Sequence, residues 1–279
     1  MAPDPTDLAS APELMPLPGN VAYWRRGEPI ANFGDYLTEL LFAGLFQGPA
    51  KYPRARIHLL GSVIAPDWFR QAAEQGFPRV AFWGCGVRRP KVLPSFHRRR
   101  ATFLGVRGPL SRDTLGLPKR TPLGDPALIL PRMYVPRRDP ATAGRTLCMP
   151  HFLDRTDDAA LLAGTGADVV LRPNIPSGLD ACRGLIDALA SAKFVLAGAL
   201  HGAIVAYAYG VPFAFYNAPK VDIPFKWRDF AMSIGFDCAF VDTIAAGEAY
   251  YGANQGRASQ CSIDGLLDVA PFPLRAGIR

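Results

Sequence analysis

Short apolar runs alternate with segments of helical periodicity along most of the chain. Runs bounded by glycine, proline or polar residues predict strands, and they fall at residues 21–24, 56–61, 80–83, 102–106, 146–149, 169–171, 194–197 and 213–216. Apolar positions three and four residues apart predict helices, at residues 36–46, 66–74, 109–114, 157–163, 178–192, 201–209, 225–234 and 263–269. Strands that alternate with helices are typical of parallel sheets covered by helices on both faces, so the predicted fold class is α/β.

A segment rich in proline and arginine interrupts this pattern near its middle. Residues 131–145 contain three Pro and four Arg, a composition typical of a linker. At about 150 residues per domain, a chain of 279 residues suggests two domains, although one large domain is also allowed. We therefore predict a loose tail at residues 1–19 and two Rossmann-like domains, at 20–140 and 141–279, that face each other across a cleft.

The composition excludes several classes of protein. Hydrophobic residues make up 49% of the chain and charged residues 20%, which excludes a disordered chain. The five cysteines are widely spaced without a CxxC pair, so neither a zinc site nor a disulfide framework is indicated, and no metal is expected. The first residues lack the basic and apolar regions of a signal peptide, which predicts a cytoplasmic protein. Glycine and proline interrupt the uncharged run 194–216, so we interpret it as a buried strand, helix and strand rather than a membrane span.

The net charge of +7 is concentrated in one part of the chain. Residues 86–138 carry thirteen Lys and Arg against two acidic residues, so this segment is +11 and the remainder is −4. A preference for Arg over Lys explains the residue type but not the clustering. Such a surface suits phosphate, an acidic membrane or nucleic acid. Because no nucleic-acid-binding motif is present, we expect an anionic small molecule or lipid and no nucleic acid.

Polar residues that directly follow the predicted strands are the first candidates for a site. In open parallel sheets, ligands bind beyond the carboxyl ends of the strands. The side chains and glycines at those positions are Asn32, Asp35, Gly84, Gly86, Arg107, Asp125, His151, Arg172 and His201.

The most informative local motif is Leu200-His201-Gly202 at the start of a predicted helix. Free N–H groups and the helix dipole at such a position bind anions, and a histidine there is placed to give a proton to a substrate. The alternative is that His201 only caps or packs at the helix start. Arg107 follows a strand and precedes another helix, where it can hold a carboxylate or phosphate through two hydrogen bonds. Ser111 would add a hydroxyl to that site.

Other polar residues have simpler interpretations. Asp35 is predicted to be a helix cap, while Asn32, three residues earlier, is the better ligand candidate. Asp125 precedes a proline, which is typical of a turn. His58 lies in an apolar strand and His97 in a basic run, so both are expected to be structural or on the surface.

Two further motifs leave their function open. Gly84-Cys85-Gly86 permits close approach of a ligand to the backbone, but it is not the GxGxxG dinucleotide motif and also suits an ordinary turn. Residues 224–230 mix aromatic and charged side chains, including Lys226 and Arg228. This segment fits either a surface helix or a wall for a sugar ring.

Taken in their order along the chain, these motifs resemble the polysaccharide pyruvyl transferase family, and most closely its exopolysaccharide branch. Each motif is weakly specific, whereas the ordered set, over about residues 20–230, is more specific. The matching pieces are Asn32-Phe33-Gly34-Asp35, Gly61-Ser62-Val63-Ile64, Phe82-Trp83-Gly84-Cys85-Gly86, Arg107 with Ser111 and Leu115, Leu123-Gly124-Asp125-Pro126-Ala127, Pro150-His151, Leu200-His201-Gly202-Ala203-Ile204, Gly210-Val211-Pro212 and Phe225-Lys226-Trp227-Arg228-Asp229.

The resemblance implies a fold similar to the B-type glycosyltransferases, with the acceptor on the N-terminal side and the donor on the C-terminal side. It implies transfer of a carboxyethylidene group from phosphoenolpyruvate, a co-substrate, to a sugar of an exopolysaccharide or its lipid-linked unit, with no other cofactor. By motif, Arg107 and His201 are the key Arg and His of the family. The base would be His151 or Asp35.

One position departs from the family pattern. Many members have Arg directly before the Leu-His pair, whereas this chain has Ala199. If that Arg binds the donor elsewhere, another cation must do so here, and the candidates are Arg172, Lys226 and Arg228.

Two other functions remain as alternatives. A nucleotide-sugar glycosyltransferase of the same fold would need a diphosphate and base pocket, and no nucleotide motif is recognisable. A non-catalytic anion- or lipid-binding module would bind without turnover. Under the pyruvyl transferase interpretation, Arg107 is expected inside the cleft, where it holds a small phosphorylated acid. The outer arginines are expected to contact anionic lipid or a diphosphate-linked acceptor at the membrane; these are Arg88, Arg89, Arg98, Arg99 and Arg100.

Overall fold

The computed structural model describes residues 16–219 and 222–278, so most of the tail predicted at 1–19 lies outside the described residues. The helices are α1 Phe33–Leu45, α2 Pro66–Glu74, α3 Ser95–Arg100, α4 Pro109–Thr114, α5 Asp158–Thr165, α6 Leu179–Ser191, α7 Leu200–Ala208, α8 Pro224–Ser233, α9 Ile244–Asn254 and α10 Ile263–Asp268. A 3₁₀ helix covers Pro126–Arg132. The strands are β1 Ile30–Asn32, β2 Ala55–His58, β3 Arg79–Phe82, β4 Ala101–Phe103, β5 Thr146–Met149, β6 Val169–Val170, β7 Asn174–Pro176, β8 Phe194–Ala197, β9 Phe213–Tyr216 and β10 Phe240–Val241.

Two parallel sheets form the framework, one in each half of the chain. The first has the order β2-β3-β4 and is extended by parallel bridges from Val21 to Ile57 and from Val106 to Leu123. The second has five strands in the order β10-β9-β8-β5-β6, with every neighbouring pair parallel. The prediction of an α/β fold with parallel sheets is confirmed.

A small antiparallel sheet joins the two halves beside the cleft. Strands β1 and β7 pair so that Asn32 lies opposite Asn174. The sequence pattern missed both strands because each has three residues, too few for a period-two alternation to be recognised. This pairing fixes the position from which α1 starts.

Most of the predicted elements are found within a few residues of their predicted bounds. The helix at 66–74 and the strands at 146–149, 194–197 and 213–216 have the predicted bounds, and the uncharged run 194–216 is a buried strand, helix and strand. The strand predicted at residues 21–24 is wrong, because these residues contribute only an isolated bridge at Val21. No helix within the described ranges has the length and apolar character to cross a bilayer.

The largest buried apolar cluster draws on both halves of the chain. It includes Phe33, Phe46 and Trp83 from the first half and Val195 and Phe213 from the second. The indole N–H of Trp83 donates to the backbone carbonyl of Leu266, 183 residues away. The division at residue 140 stays a prediction.

Candidate active site

A cleft of about 280 Å³ brings together six of the residues singled out in the sequence. Several follow strands of the two parallel sheets, which is the edge at which such sheets bind ligands. The six are Asn32, Asp35, Arg107, His151, His201 and Lys226.

His201 is the second residue of α7, and its imidazole faces a buried carboxylate. Nε2 of His201 lies 3.8 Å from Oδ2 of Asp125. Both atoms are buried and have no hydrogen-bond partner among the described residues. The other oxygen of Asp125 accepts the backbone N–H of Ala127 and caps the 3₁₀ helix. The prediction of a turn residue therefore accounts for Oδ1 of Asp125. It did not anticipate that Oδ2 faces His201.

The surroundings shift the pKa values of both His201 and Asp125. Burial, with the positive charges of Arg107 and Lys226, lowers the pKa of His201 to about 3. Burial raises the pKa of Asp125 to about 6, although Arg107 opposes the shift. An anion bound between Arg107 and Lys226 would offset their charges and raise the pKa of His201. The histidine is thus placed to take up a proton when an anionic ligand binds.

The imidazole of His201 also packs against the first turn of α1. A Cβ added at Gly34 would overlap Nδ1 of His201, so only glycine lets the helix approach the ring this closely.

We expect Gly34→Ala to displace the imidazole and lower turnover by about 10²-fold, the scale seen when a catalytic group moves by about 1 Å. Steady-state kinetics with a thermal-unfolding curve would measure this. Gly44→Ala is the matched control in α1, because the added Cβ there meets the flexible end of Met133. Equal activity in the two variants would contradict the prediction.

Arg107 is buried and forms an ion pair beneath the cleft. Its guanidinium is 1% exposed, donates from Nη1 to Oγ of Ser62 at 2.8 Å, and places Nη2 3.4 Å from Oδ2 of Asp229. Gly86 leaves room for this guanidinium, since a Cβ there would overlap Nη2. Gly86 therefore accommodates Arg107 rather than a ligand.

Ser111 supports that ion pair and does not reach the cleft. It is fully buried, its backbone N–H donates to Oδ1 of Asp229 at 2.9 Å, and its hydroxyl donates to Oδ2 at 2.5 Å. The hydroxyl oxygen also accepts the N–H of Val87. The prediction that this hydroxyl binds a ligand is wrong. Ser111 instead holds Asp229 against Arg107.

A second polar cluster lies on the C-terminal side of the cleft. Nζ of Lys226 is 2.8 Å from Oδ2 of Asp222, and Nε2 of His151 is 3.7 Å from the same oxygen. The nearby imidazole of His151 and the charge of Lys226 lower the pKa of Asp222 well below its usual range. Burial lowers the pKa of Lys226. The sequence analysis missed Asp222, for which the only signal was its spacing of four residues from Lys226.

Asn32 and Asp35 form the third polar pair in the cleft. Nδ2 of Asn32 donates to Oδ2 of Asp35 at 2.7 Å. The expectation that Asp35 caps a helix is wrong, because Asn32 occupies the cap position and Asp35 lies inside the first turn of α1. Burial raises the pKa of Asp35 to about 6, opposed by the Asn32 hydrogen bond and the charges of Lys226 and Arg88.

Besides Gly86 and Ser111, four predicted site residues lie outside the cleft. Arg172 forms an ion pair with Asp158. Gly84 packs against Pro126, and Gly202 against the sulfur of Met149, so both glycines serve close packing. Arg228 faces a neighbouring groove.

Several cleft residues were not predicted. Arg88 is exposed, as expected, but it also lines the cleft, which the sequence did not indicate. Trp24, Trp68 and Phe152 add aromatic walls, and the rings of Trp24 and Phe152 meet edge to face at 5.2 Å. Such surfaces suit the apolar faces of sugar rings.

Comparison with known proteins does not assign a function to this chain. No family model matches this chain, and no match is found among curated proteins. Within the described residues, no three His, Cys, Asp or Glu side chains are grouped as metal ligands would be.

Proposed function

We propose that this protein transfers a carboxyethylidene group from phosphoenolpyruvate to two hydroxyls of one sugar and releases phosphate. The observation that carries the proposal is the cleft in which His201, backed by Asp125, lies near the cations Arg107 and Lys226. The ordered motifs support the same reaction. The donor is a small, dense anion, so it needs cations, and its methylene carbon needs a proton donor.

The donor lies between Arg107, Lys226 and Arg88 in this proposal. Lys226 supplies the cation missing at Ala199, because both residues line the same cleft. Arg172 does not take this role, because it lies outside the cleft and pairs with Asp158. Arg228 does not take it either, because it lines the neighbouring groove.

Binding of the donor raises the pKa of His201, which takes up a proton and delivers it to the methylene carbon. The neighbouring carbon becomes electrophilic, and the first sugar hydroxyl attacks it as its O–H proton passes to Asp35. Asp35 suits this role because its pKa is about 6, which makes it a stronger base than an ordinary aspartate.

The second half of the reaction breaks the bond between that carbon and the phosphate oxygen. The electron pair leaves with phosphate, and the second hydroxyl attacks the same carbon to close the ketal. Of the two hydroxyl protons released, one replaces the proton given by His201 and the other ends on the departing phosphate. His151 and Asp222 orient the acceptor at the rim, and the aromatic residues hold its ring.

The proposed architecture is the two-domain arrangement of the B-type glycosyltransferases. The proposed acceptor is a lipid-linked oligosaccharide or polysaccharide at the cytoplasmic face of a membrane. Val92 and Phe96 support peripheral contact there, since both are large, exposed apolar side chains within the basic segment.

The proposal is tested by measuring phosphate release from phosphoenolpyruvate with a panel of lipid-linked sugars, and by mass spectrometry of the products for the added pyruvyl group. Stabilisation against heat by UDP- or GDP-sugars but not by phosphoenolpyruvate would favour a glycosyltransferase instead. Binding of phosphoenolpyruvate without phosphate release from any acceptor would favour a non-catalytic module.

We expect Lys226→Met to raise the KM for phosphoenolpyruvate about tenfold or more, because a buried charged hydrogen bond is lost. Initial rates at varied donor concentration would measure the change. Lys193→Met is the matched control, since Lys193 pairs with Glu248 on the surface. A donor KM that is the same for Lys226→Met and the unmodified protein would contradict the assignment of Lys226.

A further inference from the structure

A second groove of about 480 Å³ lies beside the cleft. The two share Arg88, Asp222 and Ile223, so the groove continues from the rim of the cleft. Three arginines, Arg88, Arg89 and Arg228, line it together with Pro90, Pro224 and Phe225. The groove joins the start of the basic segment to helix α8.

The guanidinium groups of this groove have no direct partner within the described residues, although the charge of Arg88 acts on Asp35 in the cleft. All three arginines are exposed, and within residues 16–219 and 222–278 none of their guanidinium groups donates a hydrogen bond or forms an ion pair. Asp222 is the acidic residue that lines the groove. Its carboxylate already pairs with Lys226 and lies near His151.

Other arginines of the basic segment are used differently. Arg98 donates to the backbone carbonyl of Leu115, and Arg100 donates to that of Pro78. Arg107 is buried against Asp229. The basic segment therefore contains arginines that serve the fold, and also Arg88 and Arg89, which line the groove.

We infer that the groove is a second anion site, which binds a diphosphate attached to the acceptor sugar. Each guanidinium can hold two phosphate oxygens, so three of them can bind the oxygens of two adjacent phosphates. Because Arg88 lies on both surfaces, a diphosphate in the groove places the sugar to which it is linked at the cleft. The identity of the sugar as acceptor rests on the proposed function, whereas the anion site does not.

Binding of inorganic pyrophosphate, measured by titration calorimetry, tests the anion site without catalysis. We expect the double variant Arg89→Gln/Arg228→Gln to raise the Kd about tenfold or more, and Arg120→Gln, an exposed arginine of the same basic segment outside the groove, to leave it unchanged. An unchanged Kd in the double variant would overturn the proposal, even if the protein transfers no pyruvyl group.

Acceptor kinetics then identify the source of the diphosphate. The KM of the double variant should rise for a farnesyl diphosphate-linked sugar or a nucleoside diphosphate sugar, and remain the same for the methyl glycoside of that sugar. The compound with the larger rise identifies the natural carrier. An equal rise for the methyl glycoside would overturn the assignment to the diphosphate, because the arginines would then act on the sugar.

Discussion

His201→Gln is expected to reduce phosphate release from phosphoenolpyruvate by about 10³-fold, within the range that a positioned proton donor contributes. Glutamine has a comparable reach but cannot deliver a proton, so donor binding through Arg107 and Lys226 should persist. Single-turnover phosphate release and donor binding by calorimetry would separate the two effects. His97→Gln is the control, because His97 lies on α3, outside the cleft.

Asp125→Asn extends this test to the partner of His201. The amide keeps the shape of the carboxylate but removes the negative charge that lies 3.8 Å from Nε2. The apparent pKa of the protonated histidine should fall, so the alkaline limb of the pH–rate profile, where His201 loses its proton, shifts to lower pH. A variant with full activity and an unshifted profile would show that Asp125 serves only as a cap of the 3₁₀ helix.

Arg107→Met is expected to lower the free energy of unfolding by about 3–5 kcal/mol, because it leaves the buried carboxylate of Asp229 without its cation. The two side chains are 1% and 0% exposed, so solvent cannot take the place of the lost partner. Urea unfolding would measure the loss.

The double variant Arg107→Met/Asp229→Leu should recover most of that free energy, since it removes the unpaired charge itself. Arg132→Met breaks an exposed pair with Asp264 and should cost less than about 1 kcal/mol. If Arg107→Met were no more costly than Arg132→Met, the buried pair would not contribute to stability. Phosphoenolpyruvate binding should be weakened in both Arg107 variants.

Local physical signals were sufficient for much of the fold. A proline at the first position and an amphipathic pattern define the helix Pro66–Glu74, and a buried apolar run defines the strand Phe194–Ala197. Such signals lie within a few residues of one another, so the sequence contains them directly. The rule that ligands bind beyond the carboxyl ends of parallel strands then placed Arg107, His151 and His201 together.

The partners of those residues were decided only by the tertiary structure. Arg107 and Asp229 are 122 residues apart, and Asp125 and His201 meet because the 3₁₀ helix packs against α7. The short β1–β7 pairing and the groove between the basic segment and α8 likewise depend on packing between distant segments. The sequence by itself determined which elements form, where polar residues follow strands and where basic residues cluster. Burial decided which charges are paired, which pKa values shift and which arginines stay free, because these depend on the distance between side chains that have no fixed separation along the chain.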